Sequence, residues 1–271
     1  MPVTLDDIVS ATRRRLEAAK PLANRAELAR RAAKHTPRGF AAALRRASSR
    51  GPAVIAELKR ASPSRGMIRG SFRVAALASE MAEGGAAALS VLTEEEFFHG
   101  CLSNLCEASA AVDIPCLRKD FIVDEFQLLE ARAHHADAVL LIVAALSDSE
   151  LRQLHAVARE FGLDVLCEAH DEDELGRAID LGFEVIGVNN RDLRTFHVDL
   201  NTALRLAREI PPGVVKVAES GIGSGADISK LREAGYDAFL IGETLMKADF
   251  PGRALKELLA TASRGGLGAA H

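Results

Sequence analysis

Three stretches, far apart in the chain, place charged residues where an apolar run ends. They are Val54-Ile55-Ala56-Glu57-Leu58-Lys59, Pro115-Cys116-Leu117-Arg118-Lys119-Asp120 and Leu163-Asp164-Val165-Leu166-Cys167-Glu168. A short apolar run bounded by turn signals reads as a buried strand. Charge inside such a strand costs several kcal/mol unless it is paired, whereas at the C-terminal end it can stand in a wet, shaped mouth. Several parallel strands that all end this way fit the catalytic rim of a β/α barrel.

From residue 52 onward the chain keeps one rhythm. Apolar runs near 53–58, 87–92, 115–118, 138–143, 164–168, 185–188, 214–219 and 238–241 alternate with helix-period stretches near 72–83, 102–111, 124–134, 148–161, 171–181, 200–209, 225–234 and 251–262. Ser147 with Asp148, and Asp171 with Glu174, are helix-start signals, and Gly162, Gly182 and Gly235 fall where helices end. Eight such units predict an α/β fold, a (β/α)8 TIM barrel, spanning residues 51–263. An open doubly wound sheet would carry a glycine-rich fingerprint after its first strand; here that place holds Lys59-Arg60-Ala61-Ser62-Pro63-Ser64. The 271 residues suit one barrel of about 250 residues. Residues 1–50 differ: Leu5 to Lys20 and Arg25 to Lys34 read as amphipathic helices, with Thr4 as N-cap and Asp7 three residues on. This N-terminal helical extension is expected across one end of the barrel, and residues 264–271 read as a frayed tail.

Composition excludes several classes. The formal net charge of −4 argues against a nucleic-acid surface. The longest apolar stretch, Ala136 to Leu146, contains Asp137 and is too short to span a bilayer. Asp6, Asp7 and Arg13 to Arg15 interrupt any signal-peptide core. Cysteines 101, 106, 116 and 167 lack metal-binding spacing and read as free thiols of a reducing cytoplasm. No metal site is expected.

Strand alternation gathers the chemistry. Glu57 and Lys59 share a face, as do Leu117 and Lys119, while Glu168, Asn189 and Glu219 end the fifth, sixth and seventh runs. Two ammonium groups and three carboxylates in one mouth form an acid–base set: a protonated Lys can act as general acid and a carboxylate as the complementary base. A purely structural ion-pair network would gain little from so much buried charge. A phosphate cradle is expected from Ser220, Gly221 and their neighbours after the seventh run, and from Gly242 and Glu243 after the eighth, where a short helix opens. Glu243 is an awkward neighbour for a phosphate unless it turns outward. Ser62 and Ser64 offer hydroxyl donors, and Phe98, Phe121, Leu140, Leu193 and Leu240 an apolar wall for a flat ring. Glu94-Glu95-Glu96 reads as a solvated loop face, His134 and His135 as aids to a helix C-terminus, and His170 and His99 as bland rim residues.

Taken together, IAELKRASPS (55–64), SVLTEEEFF (90–98), LRKDFI (117–122), LCEAH (166–170), GVNNRDL (187–193), VAESGI (217–222) and AFLIGETLM (238–246) resemble indole-3-glycerol phosphate synthase, the barrel enzyme of tryptophan biosynthesis. They occur in that family's order and cover nearly all of the chain from residue 52. The resemblance implies a cytoplasmic, cofactor-free lyase that closes the indole ring of 1-(2-carboxyphenylamino)-1-deoxyribulose 5-phosphate with loss of carbon dioxide and water. It implies Lys119 as general acid, Glu168 as the carboxylate of the dehydration, and Glu57 as support near the reacting nitrogen. Lys59 and Arg191 would hold the substrate carboxylate, with Asn189, Glu219 and Ser220 lining the site. Cys167 and Ala169 are smaller than the aliphatic residues expected beside Glu168, but alternation points neither into the site. No second barrel follows, so no fused pathway enzyme is expected; association with other tryptophan-pathway enzymes stays open. Phosphoribosylanthranilate isomerase, the enzymatic rival, would use a Cys and an Asp where this chain has Lys59 and Glu168. A non-catalytic phosphosugar-binding barrel would keep the cradle but not the acid–base groups.

Overall fold

The computed structural model describes residues 3–192 and 197–265. The eight apolar runs form parallel strands: β1 (Ala53–Leu58), β2 (Ala88–Leu92), β3 (Cys116–Lys119), β4 (Ala138–Ile142), β5 (Asp164–Ala169), β6 (Val185–Asn189), β7 (Val215–Glu219) and β8 (Ala238–Ile241). Each pairs with the next, and β8 closes on β1 through Ala53 to Ala56 against Ala238 to Ile241. A closed barrel buries both faces of every strand. On β1, Ala53 and Ile55 join the inner core, while Val54, Ala56 and Leu58 pack outward among the helices.

Around the barrel run α4 (Val74–Glu83), α5 (Leu102–Ala111), α6 (Glu125–Ala133), α7 (Asp148–Glu160), α8 (Glu172–Asp180), α9 (Asn201–Leu206), α10 (Gly225–Glu233), a short α11 (Glu243–Lys247) and α12 (Pro251–Gly265). Ser147 closes a capping box with Glu150, and Gly162, Gly182 and Gly235 take the left-handed conformation that ends the preceding helices. Helix α9 is shorter than its apolar pattern: it ends at Leu206, and turns carry the chain from Ala207 to Pro211 and Pro212. Helix α12 takes in the first two residues of the expected tail; residues 266–271 lie outside the described part.

The N-terminal extension departs from expectation. It contains α1 (Leu5–Ala19), α2 (Arg25–Ala32) and a third helix, α3 (Phe40–Ser48), and it reaches both ends of the barrel rather than one. Helix α1 lies over the C-terminal mouth, where Leu5 and Ile8 line the central cavity. Helix α3 plugs the opposite end: Phe40, Ala41 and Leu44 pack with Ala53, Val185 and Val215 at the strand starts. No local cap announces α3. Gly39 precedes it, and the N–H of Ala41 donates instead to Asp164, at the start of β5, over 2.9 Å. Nearby, Asp137 is fully buried and accepts from the backbone of Arg38 and Cys116 and from the Arg38 guanidinium, with His35 at 3.1 Å. These bonds fasten the extension to the barrel floor.

Candidate active site

Alternation along the strands decides what faces the mouth. On β3 Leu117 and Lys119 point inward; on β5 Leu166 and Glu168 do; on β7 Val215, Val217 and Glu219 do. The aliphatic members fill the barrel, and the charged members stand one step above them. Cys116 and Cys167 lie in the outer core, where burial raises both thiols, Cys116 to about 12.

Lys119 sits between two buried carboxylates, its Nζ 2.7 Å from Glu168 Oε2 and 3.2 Å from Glu219 Oε2. Lys59 Nζ is 2.6 Å from Glu57 Oε2 across the mouth. Burial opposes charge on Lys119, but Glu168, Glu219 and Glu57 outweigh it and raise its pKa. Burial also pushes Glu168 toward neutrality; Lys119 and His170 reverse that and hold it well below the usual carboxylate range. Glu219 goes the other way. Burial, reinforced by the Glu168 charge, raises it to about 8 against the pull of Lys119, and its Oε1 has no hydrogen-bond partner. Two carboxylates on one ammonium are therefore separated into an ionised and a protonated member.

Two glycines make room for this set. A Cβ on Gly187 of β6 would overlap Glu219 Oε1, and one on Gly242 would overlap the Glu57 carboxylate. Ser220 and Gly221 follow β7 in consecutive left-handed conformations. Asn190 braces them from below, donating to the carbonyls of Glu219 and Ser220. Thr244 of α11 donates to the carbonyl of Ile222, so the loops after β7 and β8 are joined.

The cavity above is about 370 Å³, a fit for a small metabolite. Glu57, Lys59, Ser62, Phe98, Lys119, Phe121, Leu140, Glu168, Asn189, Arg191, Glu219, Ser220, Gly221, Leu240, Gly242 and Glu243 all line it; Leu193 lies outside the described residues. The rings of Phe98 and Phe121 are 6.0 Å apart and tilted by 39°. Asn189 accepts from the N–H of Arg191, which fixes the start of the loop after β6.

A family model for indole-3-glycerol phosphate synthase matches residues 5–258. The chain belongs to this family. A protein of that name from Koribacter versatilis (strain Ellin345) is 60% identical over 96% of this chain and all of its own length. Another from Albidiferax ferrireducens is 48% identical over 95% of this chain and 98% of its own. Among solved structures, thiamine phosphate pyrophosphorylase from Pyrococcus furiosus superposes with a TM-score of 0.58 at 16% identity, covering 79% of this chain and 96% of its own. A mandelate oxidase reaches a TM-score of 0.63 at 18% identity, covering 90% and 94%. Those two likenesses show the barrel alone.

Several site features of this synthase-family chain lie outside the sequence reading. Glu243 does not turn outward. It lines the cavity and is paired with Arg65 at 3.1 Å, Lys247 at 2.6 Å and Arg191 at 3.7 Å, which together hold its carboxyl below the usual range against burial. Glu94 is not a solvated residue. It is buried, and its carboxylate accepts the N–H groups of Glu96, Phe97 and Phe98, shaping the loop that presents Phe98. Leu5 and Ile8 join the apolar wall from α1; their spacing of three marks one helix face but not what that face covers. His99 is exposed, and His134 donates to the Glu130 carbonyl as a neutral ring, its pKa lowered by burial. His170 lies beside Glu168 rather than in the cavity wall.

Proposed function

We propose that this chain converts 1-(2-carboxyphenylamino)-1-deoxyribulose 5-phosphate to indole-3-glycerol phosphate, carbon dioxide and water. The observation that carries the reading is one ammonium group, Lys119, held 2.7 Å from Glu168 and 3.2 Å from Glu219 at the floor of a cavity with an aromatic wall. The ring carbon that bears the carboxylate attacks the ribulose carbonyl carbon. A carbon–carbon bond forms, and Lys119 gives its proton to the carbonyl oxygen. The cationic ring is an electron sink, so the carboxylate leaves as carbon dioxide and aromaticity returns. Glu168 then takes part in the proton transfers that expel the hydroxyl as water. Glu57 and Lys59 face the nitrogen and carboxylate end, and Arg191 adds positive charge there. Asn189, Glu219 and Ser220 line the reacting centre.

Phe98, Phe121, Leu140 and Leu240 flank the aniline ring, and Ser62, Gly221 and Gly242 cradle the phosphate. The Glu243 carboxylate already has three cationic partners, so an entering phosphate meets a balanced cluster rather than a bare anion. The substrate is a phosphosugar joined to an anthranilate. Among the described residues no helix is long and apolar enough to cross a membrane, and the four cysteines are free thiols, which suits work in the cytoplasm.

The test uses the absence of tryptophan from the chain. Purified protein mixed with the substrate should give a steady rise of indole fluorescence over a low protein background. Lys119→Ala should lower turnover by about a hundredfold or more while phosphate-ester binding persists. Full turnover without Lys119, or binding with no product in the wild type, would refute the assignment.

A further inference from the structure

His170 is the first residue after β5, and its ring is built into the charge set from behind. Its Nδ1 is 2.9 Å from Glu174 Oε2, the same oxygen that accepts the His170 backbone N–H at 2.8 Å. Asp171 already caps α8 by accepting the N–H of Glu174. The Glu174 side chain is therefore free to reach one residue further back than a capping box would take it, and it pins both the backbone and the ring of His170. The other nitrogen, Nε2, lies 3.3 Å from Glu168 Oε1. That contact is an ion pair rather than an aligned hydrogen bond, since Nε2 has no partner of hydrogen-bond geometry. Glu168 is thus gripped on both oxygens, by Lys119 on Oε2 and by His170 on Oε1.

We propose that His170 is a positioning residue for the reaction: anchored by Glu174, its imidazolium holds the Glu168 carboxylate in place and ionised while Lys119 gives up its proton. The inference rests on the assignment of Lys119 and Glu168 made above. When Lys119 becomes neutral, Glu168 loses its main counter-charge and remains buried near Glu219, with Glu57 across the mouth. An uncompensated carboxylate there would take a proton. The titratable groups that face His170 are Glu168 and Glu174; those that face Glu168 are His170, Lys119 from β3 and Glu219 from β7. His170 remains protonated through the neutral range because these two carboxylates outweigh its burial and raise it to about 10.

The experiment is a pH profile of kcat and KM for the wild type, His170→Gln and Glu174→Gln. His170→Gln should lower kcat by about ten- to a hundredfold with little change in KM, and it should move the acid limb of kcat to higher pH. Glu174→Gln should do the same more weakly, because it leaves the ring present but unanchored, and it serves if His170→Gln does not fold. The double variant should be no worse than His170→Gln, since both act through one contact. A purely structural role would lower thermal stability and leave the acid limb in place; that result overturns the proposal. Glu168→Gln is the separate check: unchanged turnover there refutes the role of Glu168 itself, whatever His170 does.

Discussion

Gly187 is where the fold and the charge set meet most directly. It faces inward on β6, beneath Asn189, and Glu219 fills the space that a side chain would take. In Gly187→Ala the new methyl overlaps Glu219 Oε1 and comes within 3.2 Å of Leu166 Cδ1. The backbone cannot yield, because β6 is paired with both β5 and β7. Glu219 must swing, and its 3.2 Å contact with Lys119 goes with it. Overpacking of this kind costs about 1–3 kcal/mol. Taking about 2 kcal/mol, the midpoint of thermal unfolding should fall by about 4–8 °C for a chain of this size. Turnover should fall by about tenfold or more, because the protonated carboxylate leaves the reacting centre. Gly176 supplies the control. It lies within α8, a Cβ there meets nothing within 4 Å, and its φ is ordinary. Gly176→Ala should be neutral or stabilising by about 0.5–1 kcal/mol. Urea unfolding and indole fluorescence on both variants decide the matter. If Gly187→Ala unfolds like Gly176→Ala and keeps wild-type turnover, the packing argument around Glu219 is wrong.

Further expectations concern the barrel floor and pH. Asp137→Ala strands the Arg38 guanidinium and the Cys116 N–H, and should cost about 3–5 kcal/mol in urea unfolding with KM nearly unchanged; a loss below about 1 kcal/mol would mean the floor network does not fasten the extension. Glu219 binds its proton up to about 8 in the folded chain against an ordinary value of 4.5. Its contribution is complete below about pH 4.5 and is lost as pH rises through about 8, so Glu219→Gln should gain stability relative to wild type across that window; a difference that does not vary with pH would contradict the raised carboxyl. His170 has the same sign over a higher window, complete below pH 6.5 and lost as pH rises through about 10. His170→Gln should therefore approach wild-type stability above about pH 10, read from denaturant midpoints.

The eight strands and their inward charges are legible in the chain because both depend on short-range order. Period-two alternation puts Glu57, Lys119, Glu168 and Glu219 on the face shared with Ile55, Leu117, Leu166 and Val217, wherever the strand ends up. The caps at Thr4 and Ser147 are local in the same sense. Other features depend on partners far away in sequence. The N–H that starts α3 is satisfied by Asp164, 123 positions on, so no neighbouring residue signals that helix. Glu94 reads as a surface charge until the turn it closes brings three N–H groups onto it. Gly187 and Gly242 look like ordinary glycines until Glu219 and Glu57 occupy the space beside them.

The sequence by itself determined the barrel, the order of its elements and which charged residues share the mouth, since each follows from periodicity over a few residues. Only the tertiary structure decided how those charges divide: Glu168 ionised between Lys119 and His170, Glu219 protonated beside them, and Glu243 neutralised by Arg65, Arg191 and Lys247. Proton affinity depends on burial and on distances between groups from different strands, and no spacing along one strand encodes a distance across a closed barrel.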